Sequence, residues 1–195
     1  MTKTLATAGA IFLATSETEA QTKWNFDKAH TKVEFTVQHL VITEVTGNFK
    51  AFEGSVVSPS EDFSGSDIQF SVDISSINTD NEQRDTHLKS DDFFNAEKFP
   101  KMTFKSTSFT KVSGKDYKLA GNLTIRDITK PITFDVTYNG IANDPWGNTK
   151  AGFKLKGEIN RFDYNLKWNT LTELGGAVVG STVEITAKVE LDKVK

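Results

Sequence analysis

From Thr31 onward, apolar and polar residues of this chain alternate with a period of two. In the segment TKVEFTVQH, Val33, Phe35, Val37 and His39 share one side, and charged or polar residues share the other. Because successive side chains of a strand point to opposite faces of a sheet, this period predicts strands with one buried face. The pattern returns in seven further segments, at residues 46–57, 67–74, 101–109, 117–125, 131–138, 149–159 and 182–191. The sequence therefore predicts an all-β chain of eight strands.

The segments between these strands favour antiparallel pairing. Residues 113–115 (SGK) and 144–148 (DPWGN) have the composition of tight turns, and Pro131 is expected at the first residue of a strand. Sequential strands joined by short turns form hairpins and not crossovers. The parity of the apolar residues slips between Phe49 and Phe52, which predicts a bulge near Ala51.

Eight amphipathic strands leave two exposed edges unless the sheet closes. Closure gives an antiparallel barrel about wide enough to hold one small ligand. Five small residues share the apolar face, and they either leave interior volume for a guest or allow the sheet to bend and coil. They are Gly47, Gly121, Ala151, Gly157 and Ala187. A transmembrane barrel would also alternate, but it would pack the many Lys and Glu residues into a narrow lumen, and we disfavour it.

A charged insert, residues 78–99, interrupts the β pattern. Thr79 and Glu82 have the spacing of a capping box, which predicts a short helix over about residues 80–89. Its apolar residues are expected to close one end of the barrel, either as the plug of a binding cavity or, as we favour, as the cover of a core. They are Leu88, Phe93 and Phe94.

Two ion pairs are predicted at the ends of the barrel. Arg84 and Asp85 are expected to hold the insert to the wall, and Arg161 and Asp163 are expected to form a similar structural pair at a strand end.

Composition excludes several kinds of function. The chain of 195 residues carries 23 basic and 26 acidic residues, a net charge of −3 without a block of like charge, and this argues against a nucleic-acid partner. The absence of cysteine excludes disulfides and thiolate sites. His30, His39 and His87 fall on different elements without the spacing of zinc ligands, so no metal site is predicted. No motif activates a nucleophile, and no catalytic residue is predicted.

The first residues have the composition of a signal peptide. Lys3 precedes an apolar run at residues 5–14, and Thr18-Glu19-Ala20 offers a cleavage site before Gln21. The run is too short to span a bilayer. We therefore predict a leader at residues 1–20, a single domain at 21–195, and a periplasmic or secreted protein without stable membrane insertion. A frayed N-terminus is the alternative.

Several stretches resemble the YceI-like, polyisoprenoid-binding family. The match follows the family's order over nearly all of the mature chain, and only Asp127 stands where many relatives have glycine. The stretches are WNFDKAHTKVEFTVQH (24–39), GNFKAFEG (47–54), INTDNEQRDTHLKSDDFFNAEKFPKMTFKS (77–106), GNLTIRDITKPITF (121–134) and RFDYN (161–165). The resemblance implies a lipocalin-like barrel with a helical insert, a cavity for long isoprenoid chains such as quinone side chains or polyprenols, and export to the periplasm. It leaves the identity of the lipid open and implies no other cofactor.

The leading hypothesis is a non-enzymatic carrier, store or scavenger of an isoprenoid or other amphiphilic lipid. His39 is either a hydrogen-bond partner for the head group or a satisfied rim histidine. The alternatives are a lipid isomerase or cyclase that uses His39 or Arg84, and a surface interaction module; a homodimer is left open. The predicted ligand-binding residues are Val33, Phe35, Val37, His39, Phe49, Phe70, Val72, Leu88, Phe93, Phe94, Phe104, Leu123, Phe134, Val136, Phe153, Leu155 and Ile185.

Overall fold

The computed structural model describes residues 21–173 and 176–195, so the predicted leader at 1–20 lies outside the described residues. Within them, the chain forms eleven β-strands, one α-helix and two short 3₁₀ turns, at Ile74–Ser76 and Arg161–Tyr164. The strands are β1 (Thr22–Phe26), β2 (Lys32–His39), β3 (Thr43–Phe49), β4 (Phe52–Ser58), β5 (Asp67–Asp73), β6 (Ile77–Asn78), β7 (Lys101–Ser113), β8 (Asp116–Ile125), β9 (Ile128–Asn143), β10 (Thr149–Asn160) and β11 (Val179–Lys193). Helix α1 spans Glu82–Lys89.

The strands pair into a closed ring. Its order is β1-β4-β5-β7-β8-β9-β10-β11, and β11 pairs back to β1, with every neighbouring pair antiparallel. β2 continues β1 along the same edge of β11, while β3 continues β4 and pairs with β2 and β6. Three long strands are each interrupted once, as β1 and β2, β3 and β4, and β5 and β6, so the eleven segments form eight strands. The predicted eight-stranded antiparallel barrel with a short helical insert is confirmed.

The first strand bends at a turn built on Asp27. Its carboxylate accepts hydrogen bonds from the backbone N–H groups of Ala29 at 2.8 Å and His30 at 3.1 Å, and its carbonyl accepts from Thr31. An aspartate side chain that bonds the next residues' N–H groups replaces the ladder with a turn. Sequence reasoning began the strand after this turn and so missed β1. The predicted bulge near Ala51 is a break between β3 and β4 at residues 50–51.

The other turns follow from residues that tolerate their backbone angles. Gly114 and Gly147 have φ of +49° and +79° in the hairpins predicted there. Pro131 lies inside β9 and not at its start, but in a part of β9 that pairs only with β8. In the β8–β9 turn Arg126 has a positive φ, of +56°, and Asp127 does not. The backbone at Asp127 therefore does not need the conformational freedom of glycine.

The register gathers the apolar faces inside the barrel. Leu119 and Val136 on adjacent strands are each 3% exposed, and Leu191 is 2% exposed. Charged side chains lie outside and pair across strands, as Lys156 does with Glu184 at 2.8 Å. This arrangement is the reverse of the transmembrane barrel considered above. No helix in the described ranges has the length and apolar character needed to cross a membrane.

The inward-facing glycines are covered by phenylalanine rings and do not leave empty volume. A Cβ added at Gly157 would lie 2.6 Å from Phe134, and one at Gly54 would lie 2.7 Å from Phe26 and 2.8 Å from Phe70. Phe35 covers Gly47 and Phe104 covers Gly121 in the same way. Because each ring takes the place of a missing side chain, it packs against the wall of the barrel.

The insert is anchored differently from the prediction. Asn81, and not Thr79, caps α1 by accepting from the Arg84 backbone N–H at 2.9 Å. Arg84 and Asp85 form no ion pair in the described residues. They both bind Thr79 instead: Arg84 Nε donates to its hydroxyl at 2.8 Å, and that hydroxyl donates to the Asp85 carboxylate at 2.6 Å. Thr79 follows β6, so this contact fixes the helix to the strand beside β3.

The glycine and phenylalanine pairs predict a stability effect. Replacing Gly157 by Ala should lower the free energy of unfolding by about 1–3 kcal/mol, because the new methyl group overlaps the Phe134 ring. Gly152→Ala on the same strand is the matched control, since its Cβ would meet only Asn139 at 3.4 Å. Urea unfolding of both variants measures the difference. Equal stability of the two variants, or an undiminished cost in a Phe134→Leu background, would contradict the pairing.

Candidate functional site

Three adjoining chambers follow one another along the inside of the barrel, with cavity volumes of about 50, 100 and 80 Å³. The lower chamber is lined by Phe26, Val56, Phe63, Ser66, Ile68, Phe109, Leu119, Val136, Phe153, Leu155, Val189 and Leu191. The middle chamber is lined by Phe26, Val33, Ile68, Phe70, Val72, Met102, Thr103, Phe104, Leu119, Leu123, Phe134, Leu155, Ile185, Ala187 and Val189. The upper chamber is lined by Val33, Glu34, Phe35, Val37, Phe49, Leu88, Phe93, Phe94, Met102, Ile125, Ile159, Arg161, Leu166, Val179, Val183 and Ile185.

Shared lining residues place the three chambers next to one another in a row. Phe26 and Leu155 line both the lower and the middle chamber, and Val33 and Ile185 line both the middle and the upper chamber. Nearly all of the lining is hydrocarbon or aromatic ring. Apolar cavities of this order of size stay free of water and take apolar guests.

An aromatic floor closes the lower chamber. Phe63, in the loop between β4 and β5, is 1% exposed, and its ring centroid lies 5.1 Å from that of Trp24 and 5.0 Å from that of Phe153. Tyr117 holds the loop by donating its hydroxyl hydrogen to the carbonyl of Asp62 at 2.8 Å. Phe63 has a φ of +64°, a left-handed conformation that costs a bulky residue energy and is kept here by the packing around its ring.

The insert forms the roof of the upper chamber, together with residues 165–168, which follow the second 3₁₀ turn. The Phe94 ring packs edge-on against Phe49 at 6.1 Å between centroids, and Phe93 lies 5.8 Å from Trp168. Trp168 also packs edge-on against His87 at 5.4 Å. The apolar residues of the insert therefore close one barrel end, as the sequence predicted.

Arg126 ties the two parts of the roof together. One of its terminal nitrogens, Nη1, donates to the carbonyls of Asp91, Phe93 and Asn165 at 2.9–3.0 Å. The other, Nη2, donates to the Asp91 carboxylate at 2.7 Å. Hydrogen bonds from Asn95 and Arg126 lower the pKa of Asp91. The insert and the segment after β10 are thus joined through one side chain.

Arg161 is a buried cation at the edge of the upper chamber. It is 2% exposed and heads the 3₁₀ turn that follows β10. The predicted pair with Asp163 is wrong: the nearest base to that carboxylate is Lys130, at 3.9 Å. The guanidinium instead donates to neutral acceptors in residues 166–180. Burial lowers the pKa of Arg161.

Packing differs between the two ends of the row. Inward residues of β2 and β11 beside the upper chamber, such as Phe35, Val37 and Val183, are only half-buried. Their counterparts lower in the barrel, such as Val136, are almost fully buried. The upper chamber is therefore the less tightly closed end.

The structure brings together all of the predicted ligand-binding residues except His39. That residue lies at the end of β2, opposite Thr43 and Val179, and outside the three linings. Arg84, the other group named for the enzyme alternative, is also absent from them. Ligand binding by the lining residues stays a prediction. Sequence reasoning assigned no role to Phe63 and gave Arg161 only a structural ion pair, because a period of two assigns no face to residues outside the strands.

A separate cluster of charged side chains lies where β1 pairs with β11 and closes the barrel. Asp27, His30 and Glu190 come close enough to hold a metal ion. Lys150 already supplies the positive charge, since its Nζ lies 2.8 Å from Asp27, 3.4 Å from Glu190 and 2.5 Å from Asp192. We therefore assign no metal to the cluster. Burial of Asp27 opposes its ionisation, but hydrogen bonds from Lys150 and His30 outweigh this and hold its pKa well below the usual range.

Comparison with known proteins identifies relatives of the whole barrel. A family model for the YceI-like domain matches residues 24–191. UPF0312 protein SA2479 of Staphylococcus aureus (strain N315) is 40% identical over 170 residues, which cover 87% of this chain and 96% of that protein.

Solved structures show the same fold. The YceI protein of Campylobacter jejuni superposes with a TM-score of 0.69 at 32% identity, over 81% of this chain and 90% of that one. A polyisoprenoid binding domain from Saccharophagus degradans superposes with a TM-score of 0.64 at 15% identity, over 88% of this chain and 98% of that one. At that identity the second likeness concerns the fold alone.

The cluster at the barrel seam predicts a pH dependence. A hydrogen bond to Asp27 and the charges of Asp27 and Glu190 raise the pKa of His30. Protonated His30 should therefore stabilise the fold below the unfolded-state value of about 6.5, and this contribution should be lost as the pH rises through the raised pKa. NMR titration of the imidazole in the native chain and in Asp27→Asn measures the shift, with Asp91→Asn as the control. A His30 pKa that is ordinary, or unaffected by Asp27→Asn, would contradict the assignment.

Proposed function

The chain belongs to the YceI-like family, and we propose that it binds one isoprenoid or similar amphiphilic lipid inside the barrel and carries or stores it without converting it. The observation that supports this proposal is the row of three adjoining chambers inside the barrel. Their lining is almost entirely apolar, and they lie between an aromatic floor and a roof made by the insert. We propose that a bound tail runs through all three along one path. The polyisoprenoid binding domain of the same fold is consistent with such a ligand.

The length of the path indicates the size of the tail. From Val183 to Leu191, the inward residues of β11 span roughly 26 Å at about 3.3 Å per residue. A strand tilt of about 40° reduces this to roughly 20 Å along the barrel axis. An extended isoprene unit spans about 5 Å, from four bonds of about 1.5 Å. The path therefore fits a tail of roughly four units.

Burial of such a tail is sufficient for binding. Each CH₂-sized group contributes about 0.8 kcal/mol, so the five carbons of one unit contribute about 4 kcal/mol. Association costs about 4–15 kcal/mol, which a tail of several units outweighs. Affinity should accordingly rise with tail length until the path is full.

The chamber linings favour a carrier over an enzyme. Acid–base chemistry needs a titratable group within hydrogen-bond reach of the reacting atom. His39 and Arg84 lie outside the linings. Of the two charged residues in the linings, Arg161 has all its donors engaged, and Glu34 is paired with Lys188. We expect lipid recovered from the protein after incubation to have an unchanged NMR spectrum and chromatographic retention, since an isomerised or cyclised product can have the same mass.

We place this activity in the periplasm or outside the cell. The support is the leader-like composition of residues 1–20. Protein recovered from the periplasm of a Gram-negative host should begin at Gln21, as measured by its intact mass. Soluble cytoplasmic protein that keeps residues 1–20 would contradict the placement.

Tail-length selectivity tests the proposal. Ala187 lines only the middle chamber, so Ala187→Phe should obstruct the passage to the lower chamber. Calorimetric titration with geraniol, farnesol and geranylgeraniol, which differ only in the number of isoprene units, measures affinity. We expect the variant to lose about tenfold or more for geranylgeraniol, equal to 1.4 kcal/mol or more, and little for geraniol.

Thr186→Phe is the matched control, because it adds the same ring to the outer face one residue away. Overpacking alone can cost about 1–3 kcal/mol, so urea unfolding must show that both variants are folded. A folded Ala187→Phe protein that keeps its full affinity for geranylgeraniol would place the ligand elsewhere. Failure of the native chain to bind any of the three alcohols would refute the proposal.

A further inference from the structure

The upper chamber contains the buried positive charge of Arg161, and Glu34, the acid in the same lining, is paired instead with Lys188 at 3.2 Å. Arg161 lines this chamber, and its side chain is almost fully buried. Nε donates to the carbonyl of Gly180 at 2.8 Å, and Nη1 donates to those of Leu166 and Trp168 at 2.7 Å. Nη2 donates to the carbonyl of Val179 at 3.2 Å and to the side-chain oxygen of Asn169 at 3.5 Å. All five N–H groups thus meet uncharged oxygens.

The positive charge of Arg161 is permanent, and the solvent screens it only weakly. An arginine does not lose its proton in a protein, so burial leaves the cation in place. Within residues 21–173 and 176–195, no carboxylate pairs with Arg161, and the acid on its own turn, Asp163, lies nearest to Lys130. Buried charges interact through a lower effective dielectric than exposed ones do. An anion entering the upper chamber would therefore be attracted and would compensate a charge that the fold leaves unpaired.

The rest of the path gives the ligand a direction. No charged side chain lines the middle or lower chamber, and the floor is aromatic. An amphiphile has its lowest energy with its tail in these chambers and its head near Arg161. The chain as a whole carries a net charge of −3, so its overall field does not favour anions. The attraction must be local.

We propose that Arg161 makes the upper chamber select amphiphiles whose head group is an anionic oxygen acid, a carboxylate or a phosphate, with the tail directed toward Phe63. This inference rests on the proposed function, because it concerns the same path. Since every donor of Arg161 is engaged, selection acts through the sign of the charge and not through a hydrogen bond to the head group.

Three ligands with the same tail test the inference on the native chain. They are hexadecanoate, hexadecanol and hexadecylamine, titrated at neutral pH below their aggregation limits. We expect hexadecanoate to bind about tenfold or more tighter than hexadecylamine, with hexadecanol between them. The order should persist at raised salt, because a buried charge is screened less than a surface one. Equal affinities, or tighter binding of the amine, would overturn the inference while leaving the proposed function standing. Binding of none of the three would also overturn the inference, while the isoprenoid alcohols test the proposed function separately.

Two variants distinguish the effect of Arg161 on ligand selection from the effect of the protein's net charge. Arg161→Met should reduce the preference for hexadecanoate over hexadecylamine to within about twofold, whatever its effect on the binding of hexadecanol. Lys130→Met removes the same charge from an exposed site beside the same turn and should preserve the preference. An unchanged preference in folded Arg161→Met, or an equal loss in Lys130→Met, would overturn the assignment. If Arg161→Met does not fold, the ligand series on the native chain decides.

A comparison of carboxylate with phosphate head groups tests whether the selection depends on charge alone. Hexadecyl phosphate should also bind more tightly than hexadecanol to the native chain, because selection depends on sign. Binding of the carboxylate but not of the phosphate would contradict a selection by charge alone.

Discussion

The closure of the barrel through β11 is the constraint on which the rest of the structure depends. β11 pairs with β10 from Asn160 to Lys150, and its other edge pairs with both β2 and β1. These pairings bring the two ends of the sheet together, so that each long strand has a partner on both sides. In this ring the apolar faces point inward and the charged faces point outward. The turn at Asp27 allows one edge of β11 to be shared by two strand segments, and Lys150 binds that turn to the end of β11.

Closure creates an interior that side chains fill unevenly. Phenylalanine rings packed over glycines lie against the wall, which leaves a narrow path along the axis. The floor is fixed by Tyr117 holding the Phe63 loop, and the roof by Arg126 holding the insert. Arg161 fixes the segment that follows β10 through uncharged acceptors. A mostly apolar lining with the buried cation Arg161 at its upper end fits the amphiphile that we propose, with the tail buried and the head near the roof.

Much of this interior could be read from the sequence, because a period of two determines which residues of a strand face inward. Val33, Phe104 and Leu155 were assigned to the interior in this way, and the structure places them there. The roof was also predictable, since Phe93 and Phe94 are apolar residues in an otherwise charged insert. His39 has the same parity, but it is the last residue of β2 and lies outside the three chamber linings.

The remaining features depend on contacts between distant parts of the chain. Thr79 and Asn81 are both of residue types that cap helices. In the folded chain Asn81 caps α1, and Thr79 instead binds the side chains of Arg84 and Asp85. Phe63 and Arg161 lie outside regular strands, so local pattern assigns them no face. Four of the five partners of Arg161 are main-chain carbonyls, which no side-chain pattern can indicate.

The central claim is that one lipid tail threads the three chambers, and a crystal structure of the full chain with geranylgeraniol tests it most directly. We predict continuous electron density from the upper chamber beside Leu166, past Ala187, to the Phe63 floor, with the hydroxyl group at the upper end. Density for the alcohol on the outer surface, or an interior whose side chains fill the path without it, would contradict the account.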